Sequence, residues 1–250
     1  MLRVYLLGRV AVAGPGGLLE QVDFPGRQGR LVFVRLASSA RRVERQLLAE
    51  AVWGGDLPDA WDTALSAVVS KLRRALSWTG IDGARSLEGS DGCYELRFPA
   101  GTWIDLRETV NSLDAAEGAL ARGDTRRAWS SAAVASAILR RPLLAGEDAP
   151  WIEQMRRELH DLEVRTYDTL AEVWTQAGNA RAAVGAARRA VELAPYRESA
   201  YARLMECHIA AGDRAEAVRV YTELREQLQD SMGLSPAPEV EHVYLEALRA

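Results

Sequence analysis

Lys71, Arg73 and Arg74 crowd into one short stretch, DAWDTALSAVVSKLRRALSW, which spans residues 59–78. Fixed positive charges at that spacing do not move protons; they neutralise phosphates. Within the same stretch Leu65, Val69, Leu72 and Leu76 recur at steps of four, three and four, the pattern of one buried helix face. At 100° per residue Thr63, Ala67, Ser70 and Arg74 fall on the opposite face, with Lys71 on its flank. Small residues let a helix sit close to a surface, and the cations at its edge meet backbone phosphates. A solvated surface helix shows the same pattern, so the flanking segments decide between the two.

No other chemistry is spelled out. His160, His208 and His242 lack metal-like companion spacing, and Cys93 and Cys207 stand far apart with no CxxC partner. Ser38-Ser39 and Ser130-Ser131 have no nearby base, and the carboxylates are spread along helical patterns. GxxxxGK[ST] does not occur, and Gly14-Pro15-Gly16-Gly17 is a turn with no phosphate-binding helix pattern after it. The expectation is a non-enzymatic protein with no metal and no cofactor. The N-terminal apolar run is broken by Arg3, Gly8 and Arg9, unlike a signal peptide, and no stretch reaches the roughly 18 apolar residues of a membrane span. A cytoplasmic protein is expected.

Residues 2–12 are short, partly alternating and β-rich, and 21–24 read as a returning strand. Residues 27–36 predict a helix with Leu31, Val32, Val34 and Leu36 buried. Residues 44–53 predict a second, with Leu47, Leu48, Ala51 and Val52 on its inner side, stopped by Gly54-Gly55. Asp59, after Pro58, predicts the N-cap of the third. Ser86-Leu87-Glu88 and Cys93-Tyr94-Glu95-Leu96 flank Gly89-Ser90-Asp91-Gly92, which predicts a hairpin. A sheet, three helices and a hairpin make a winged helix-turn-helix, whose third helix enters the major groove while the hairpin touches the neighbouring backbone. Charge permits this without demanding it: residues 1–100 carry 13 Lys and Arg against 11 Asp and Glu, residues 101–250 carry 18 against 24. Between Arg27 and Arg45 six arginines face Glu44 alone.

The second half is all-helical. Ala177-Gly178-Asn179 recurs 34 residues later as Ala211-Gly212-Asp213, and at that offset Tyr167 matches Tyr201, Leu170 Leu204, Ala183 Ala217 and Val184 Val218. A period of 34 with glycine at the helix-helix turn is the tetratricopeptide signature. Arg122-Gly123-Asp124 marks an earlier pair over 106–122 and 125–140, a long helix starts near Trp151, read as repeat core with Trp174, and Pro236-Ala237-Pro238 introduces a capping helix. The expected fold is therefore an α+β winged helix-turn-helix domain, 1–100, followed by an all-α tetratricopeptide-like domain, 101–250. Tyr167, Trp174 and Tyr201 line the groove or its core.

These residues resemble a known family, the SARP-type transcriptional regulators, in which a winged helix precedes a bacterial transcriptional activator domain. Val52-Trp53-Gly54 with Pro58 closes the second helix as in the family. Val69-Ser70-Lys71-Leu72-Arg73-Arg74-Ala75-Leu76 is similar to its V-S-R-L-R-R-A-L, and Gly92-Cys93-Tyr94-Glu95-Leu96 to its wing. Ile104-Asp105-Leu106 matches the start of the activator domain, and Gly233-Leu234-Ser235-Pro236-Ala237-Pro238-Glu239 its G-L-x-P-x-P-E. The resemblance covers nearly the whole chain. It implies a transcription activator that binds direct repeats in double-stranded promoter DNA, commonly as a side-by-side homodimer, and recruits RNA polymerase through sigma-factor and core-subunit contacts. By position it puts Thr63, Ala67, Ser70, Lys71 and Arg74 in the groove and Arg30 and Arg45 at phosphates.

There are departures, among them Ala67 in the groove-facing set, which offers apolar contact and no hydrogen bond. Glu44 replaces the hydroxyl residue frequent before the second helix, and Glu95 a frequent basic wing residue. Each lost phosphate contact lowers the salt slope of binding by roughly one. The alternative reading is an interaction or ligand-sensing adaptor whose winged helix no longer binds DNA. A positive stripe along the third helix and wing discriminates the two.

Overall fold

A computed structural model describes residues 1–39 and 41–249. The chain divides into two compact units: Met1–Glu108 with Arg141–Arg156, and residues 109–140 with 157–249.

In the first unit β1 (Arg3–Tyr5), β2 (Ala11–Gly14) and β3 (Gly17–Leu19) precede α1 (Gly26–Ala37), β4 (Val43–Glu44) and α2 (Arg45–Trp53). Then come α3 (Trp61–Ser77), a short α4 (Gly83–Ser86), β5 (Leu87–Ser90), β6 (Cys93–Leu96) and β7 (Trp103–Ile104). One sheet has the order β3-β2-β1-β7, the other β4-β6-β5. β1 is antiparallel to β2 and parallel to β7. The returning strand is earlier than the sequence predicts. Gly14 pairs with Gly17 across a tight turn, so the hairpin closes there and Gln21–Asp23 form a single 3-10 turn. Only glycine fits that turn: a Cβ on Gly14 falls 2.1 Å from the Thr79 carbonyl oxygen, because the hairpin lies backbone against backbone on the end of α3.

α1 buries the consecutive run Leu31, Val32, Phe33 and Val34 together with Leu36, all at 2% exposure or less, while Arg27 is exposed and Arg30 and Arg35 are half-buried. Phe33 meets Phe24 at 5.0 Å and Phe98 at 6.3 Å between ring centroids. In α2, Leu48, Ala49, Ala51 and Val52 are buried, whereas Leu47, expected inside, is 49% exposed. α3 starts one residue later than predicted. The Trp61 amide donates to the Pro58 carbonyl, so Pro58 to Trp61 form a separate turn and Ala60, not Asp59, is the N-cap.

Asp105, fully buried, ends this frame. Its Oδ2 accepts from the Leu6 and Leu7 amides at 2.8 and 2.9 Å, and its Oδ1 from Leu106. Burial pushes its carboxyl above the ordinary value, against those bonds and Arg141. A raised folded-state value means that Asp105 contributes stability in full below the unfolded value and loses it as pH rises through the folded one. Unfolding free energy measured in denaturant from pH 4 upward falls over that window, and Asp105→Asn removes this component of the fall. The same variant is less stable at every pH, since its amide places a donor against a backbone N–H.

The remaining helices are α5 (Asp105–Ala121), α6 (Thr125–Leu139), α7 (Pro150–Gln176), α8 (Ala180–Leu193), α9 (Glu198–Ala210), α10 (Arg214–Met232) and α11 (Pro238–Arg249). Three turns repeat one design. Gly123, Gly178 and Gly212 have φ of +74°, +70° and +78°, which favours glycine, and each is followed by an N-cap side chain, Asp124, Asn179 or Asp213. The 34-residue offset is structural: Ala183 and Ala217 are both buried in the core, as are Leu170 and Leu204. Tyr201 is core, 2% exposed, its hydroxyl donating to Gln227. α11 closes this unit with Val240, Val243 and Ala247 buried and Tyr244 stacked 4.0 Å from Tyr221. Trp151 is not repeat core; it belongs to the first unit, where its indole meets α2. Among the described residues no helix is long and apolar enough to cross a membrane.

Candidate nucleic-acid interface

The inner face of α3 is Leu65, Val68, Val69, Leu72, Ala75 and Leu76, all buried. Thr63, Ser66, Ala67, Ser70, Lys71 and Arg74 are exposed along its outer face. Five of the residues singled out from sequence are thus brought to one surface. Lys71 and Arg74 have no ion-pair partner among the described residues, so their charges are available to a ligand.

The other cations nearby are spoken for. Arg73 turns inward and donates its Nε to the Leu87 carbonyl at 2.8 Å, tying α3 to the wing instead of reaching outward with its neighbours. Arg45 is a three-way clamp at the start of α2. Its Nε donates to Asp62 Oδ1 at 2.8 Å, its Nη2 to Ser66 Oγ at 2.8 Å and its Nη1 to the Tyr94 hydroxyl at 2.7 Å, with the guanidinium 5.0 Å from the Tyr94 ring centroid. Arg30 lies 3.9 Å from Glu147 and lines a separate cleft of about 300 Å³ with Gly8, Arg9, Val10, Gln21 and Pro142. Arg27 is at 2.6 Å from the same Glu147. The arginine-rich run is therefore used largely inside the unit; Arg41 remains exposed without an ion-pair partner among the described residues.

The wing is a two-residue hairpin. Asp91 and Gly92 both have positive φ, +51° and +72°, the mirror-image turn that matches strand twist. Val43 and Glu44 pair with Tyr94 and Cys93 to add a third strand. Glu95 is not a bare carboxylate. Arg97 at 2.8 Å and Arg42 at 3.1 Å bracket it, and Arg97 first, then Arg42, holds its carboxyl below the usual range. Glu88 and Asp91 also approach these arginines, so two guanidiniums are shared among three carboxylates and the base of the wing carries no excess of positive charge. Glu44 is exposed and caps no backbone amide. The sequence reading missed Tyr94, Glu147 and Trp151 as organisers of this surface; an indole and a carboxylate far along the chain leave no local signal.

This surface is a helix small and cationic on its outside, beside a two-residue hairpin, ahead of helical repeats. The family model for the bacterial transcriptional activator domain matches residues 104–248. The chain belongs to this family, among the SARP-type regulators. It is similar to the transcriptional regulatory protein MoaR1 of Mycobacterium tuberculosis, 25% identical over 224 residues, which are 89% of this chain and 72% of that one. It is 26% identical to the regulatory protein AfsR of Streptomyces coelicolor over 90% of this chain but only 22% of AfsR. A solved structure of Mycobacterium tuberculosis EmbR, in complex with a low affinity phosphopeptide, superposes with a TM-score of 0.86 at 24% identity, covering 99% of this chain and 65% of that one. That likeness shows the fold: a winged helix-turn-helix followed by tetratricopeptide-like helices. The family makes this regulator a DNA-binding transcription factor rather than an enzyme.

Proposed function

We propose that this regulator is a sequence-selective activator that lays α3 in the major groove of double-stranded promoter DNA. Two copies sit side by side on direct repeats and recruit RNA polymerase through its sigma factor, in the cytoplasm. Thr63, Ala67, Ser70 and Arg74 meet base edges, Ala67 by apolar contact such as with a thymine methyl, and Lys71 meets phosphate. Arg30 and Arg45, engaged with Glu147 and with Asp62, Ser66 and Tyr94, are left to organise the unit. The single observation that carries this reading is the outer face of α3, where Lys71 and Arg74 stand exposed and unpaired among the described residues beside small side chains.

The adaptor alternative rests on Glu44, Glu95 and the acidic repeats; of these, Glu95 is paired with Arg42 and Arg97 instead of standing bare. Footprinting of the full chain on the region upstream of its own gene and on neighbouring promoters tests the proposal. Protected direct repeats at low salt are expected; no protection at any site overturns it.

A further inference from the structure

The end of α2 leads directly into the loop that delivers α3, so whatever holds the last carbonyls of α2 also fixes where α3 begins. An α-helix leaves its final carbonyls without intrahelical donors. Here the Glu50 oxygen receives the Gly54 amide at 2.8 Å. The Ala51 oxygen receives the indole Nε1–H of Trp151 at 3.0 Å, and the Val52 oxygen receives Nη1 of Arg27 at 3.3 Å. Arg27 is itself held by Glu147, 9% exposed, at 2.6 Å, and Arg35 lies 5.7 Å from the centroid of the Trp151 ring.

Trp151 and Glu147 belong to the strap Arg141–Arg156, which folds with the winged helix although it lies far beyond α2 in sequence and within the stretch matched by the activator-domain model. The strap is firmly laid down. The Gly8 amide donates to the Pro142 carbonyl at 2.8 Å, Leu7 and Leu143 form a β-bridge, and Leu143, Leu144 and Ile152 are buried. Arg156 ties its inside together through the carbonyls of Leu143, Leu144 and Glu147.

We infer that Trp151 and Glu147 are positioning residues for DNA recognition: from the activator-domain strap they cap α2 and fix the presentation of α3. Neither touches DNA. The inference rests on the DNA-binding reading above, and it makes the strap the part of the activator domain through which that domain sets DNA affinity.

Trp151→Phe keeps the ring body and removes the N–H; Glu147→Gln keeps an acceptor and removes the charge that holds Arg27. Both are made in the full chain. Amide hydrogen exchange is followed over residues 54–61, together with the thermal midpoint and binding to a DNA fragment selected from a random pool by the wild type. Exchange at 54–61 is expected to rise about fivefold, the scale of one net hydrogen bond, with the rest of the unit and the midpoint little changed. The ratio of specific to non-specific affinity falls by a similar factor at an unaltered salt slope, because no phosphate contact is lost. Wild-type exchange and wild-type selectivity in both variants overturn the inference. So does a uniform rise in exchange with a collapsed midpoint and unchanged selectivity, which marks a merely structural role. If the wild type selects no DNA, the DNA-binding reading fails, and the exchange at 54–61 still decides whether the strap positions α3.

Discussion

Replacing Lys71 and Arg74 together by alanine abolishes selective DNA binding and leaves the chain folded. Both side chains are exposed on α3 and have no ion-pair partner among the described residues, so their removal strands no buried group. Alanine is also the best helix former, and the helix itself loses nothing. The binding loss has two parts. One cation fewer at phosphate, Lys71, lowers the slope of log affinity against log salt by roughly one. An arginine contact to a base edge adds about 1–3 kcal/mol of discrimination, so affinity for the selected site falls about a hundredfold or more near physiological salt. Anisotropy titrations at three or more salt concentrations, with a circular dichroism melt of each variant, separate binding from folding. Wild-type affinity and slope in the double variant remove α3 from the interface. Thr63→Ala and Ser70→Ala serve as contrast: they change which sequences are preferred and leave the slope alone.

What the sequence made legible was periodic and local. The inner face of α3 could be read because Leu65, Val69, Leu72 and Leu76 report the helical period within one window, and the structure adds Val68 and Ala75 to the same face. The 34-residue spacing survives as buried Ala183 and Ala217. Illegible were pairings between distant segments. Six arginines against Glu44 read as a local excess of positive charge. Arg27 and Arg30 are answered by Glu147, Arg42 by Asp91 and Glu95, and Arg45 by Asp62, none of them in that interval. Charge summed along the chain therefore overstates what reaches the surface: of those six arginines, Arg41 is exposed with no ion-pair partner among the described residues, as are Lys71 and Arg74 on α3. Trp151 misled for a related reason: it opens α7, a helix whose later turns are repeat, while its own first turn folds with the winged helix. A helical pattern does not mark the point at which a helix passes from one compact unit to another.

Arg45→Ala lowers DNA affinity more than tenfold without the loss of salt slope that a phosphate contact would entail, and it lowers stability by about 2–3 kcal/mol, in the range for hydrogen bonds to a charged group. The ion pair with Asp62 contributes the lesser part, since the Asp62 side chain is 60% exposed and screened. The greater part is the fork. One planar guanidinium joins the Tyr94 hydroxyl on the wing to Ser66 on α3, and its carbon lies over the Tyr94 ring. Removing it releases the wing from the recognition helix and leaves the Tyr94 hydroxyl without its donor. Arg45→Lys decides between charge and geometry. A side chain acting on phosphate through its charge tolerates lysine, with near wild-type affinity and slope. A fork that spans three acceptors does not, because an ammonium on a flexible stem cannot meet Asp62, Ser66 and Tyr94 at once while stacking on the ring. The fork predicts that Arg45→Lys behaves like Arg45→Ala in binding and melting, and that Tyr94→Phe, which keeps the ring and loses the acceptor, falls between them and the wild type. Near wild-type binding by Arg45→Lys would instead return Arg45 to the phosphate backbone.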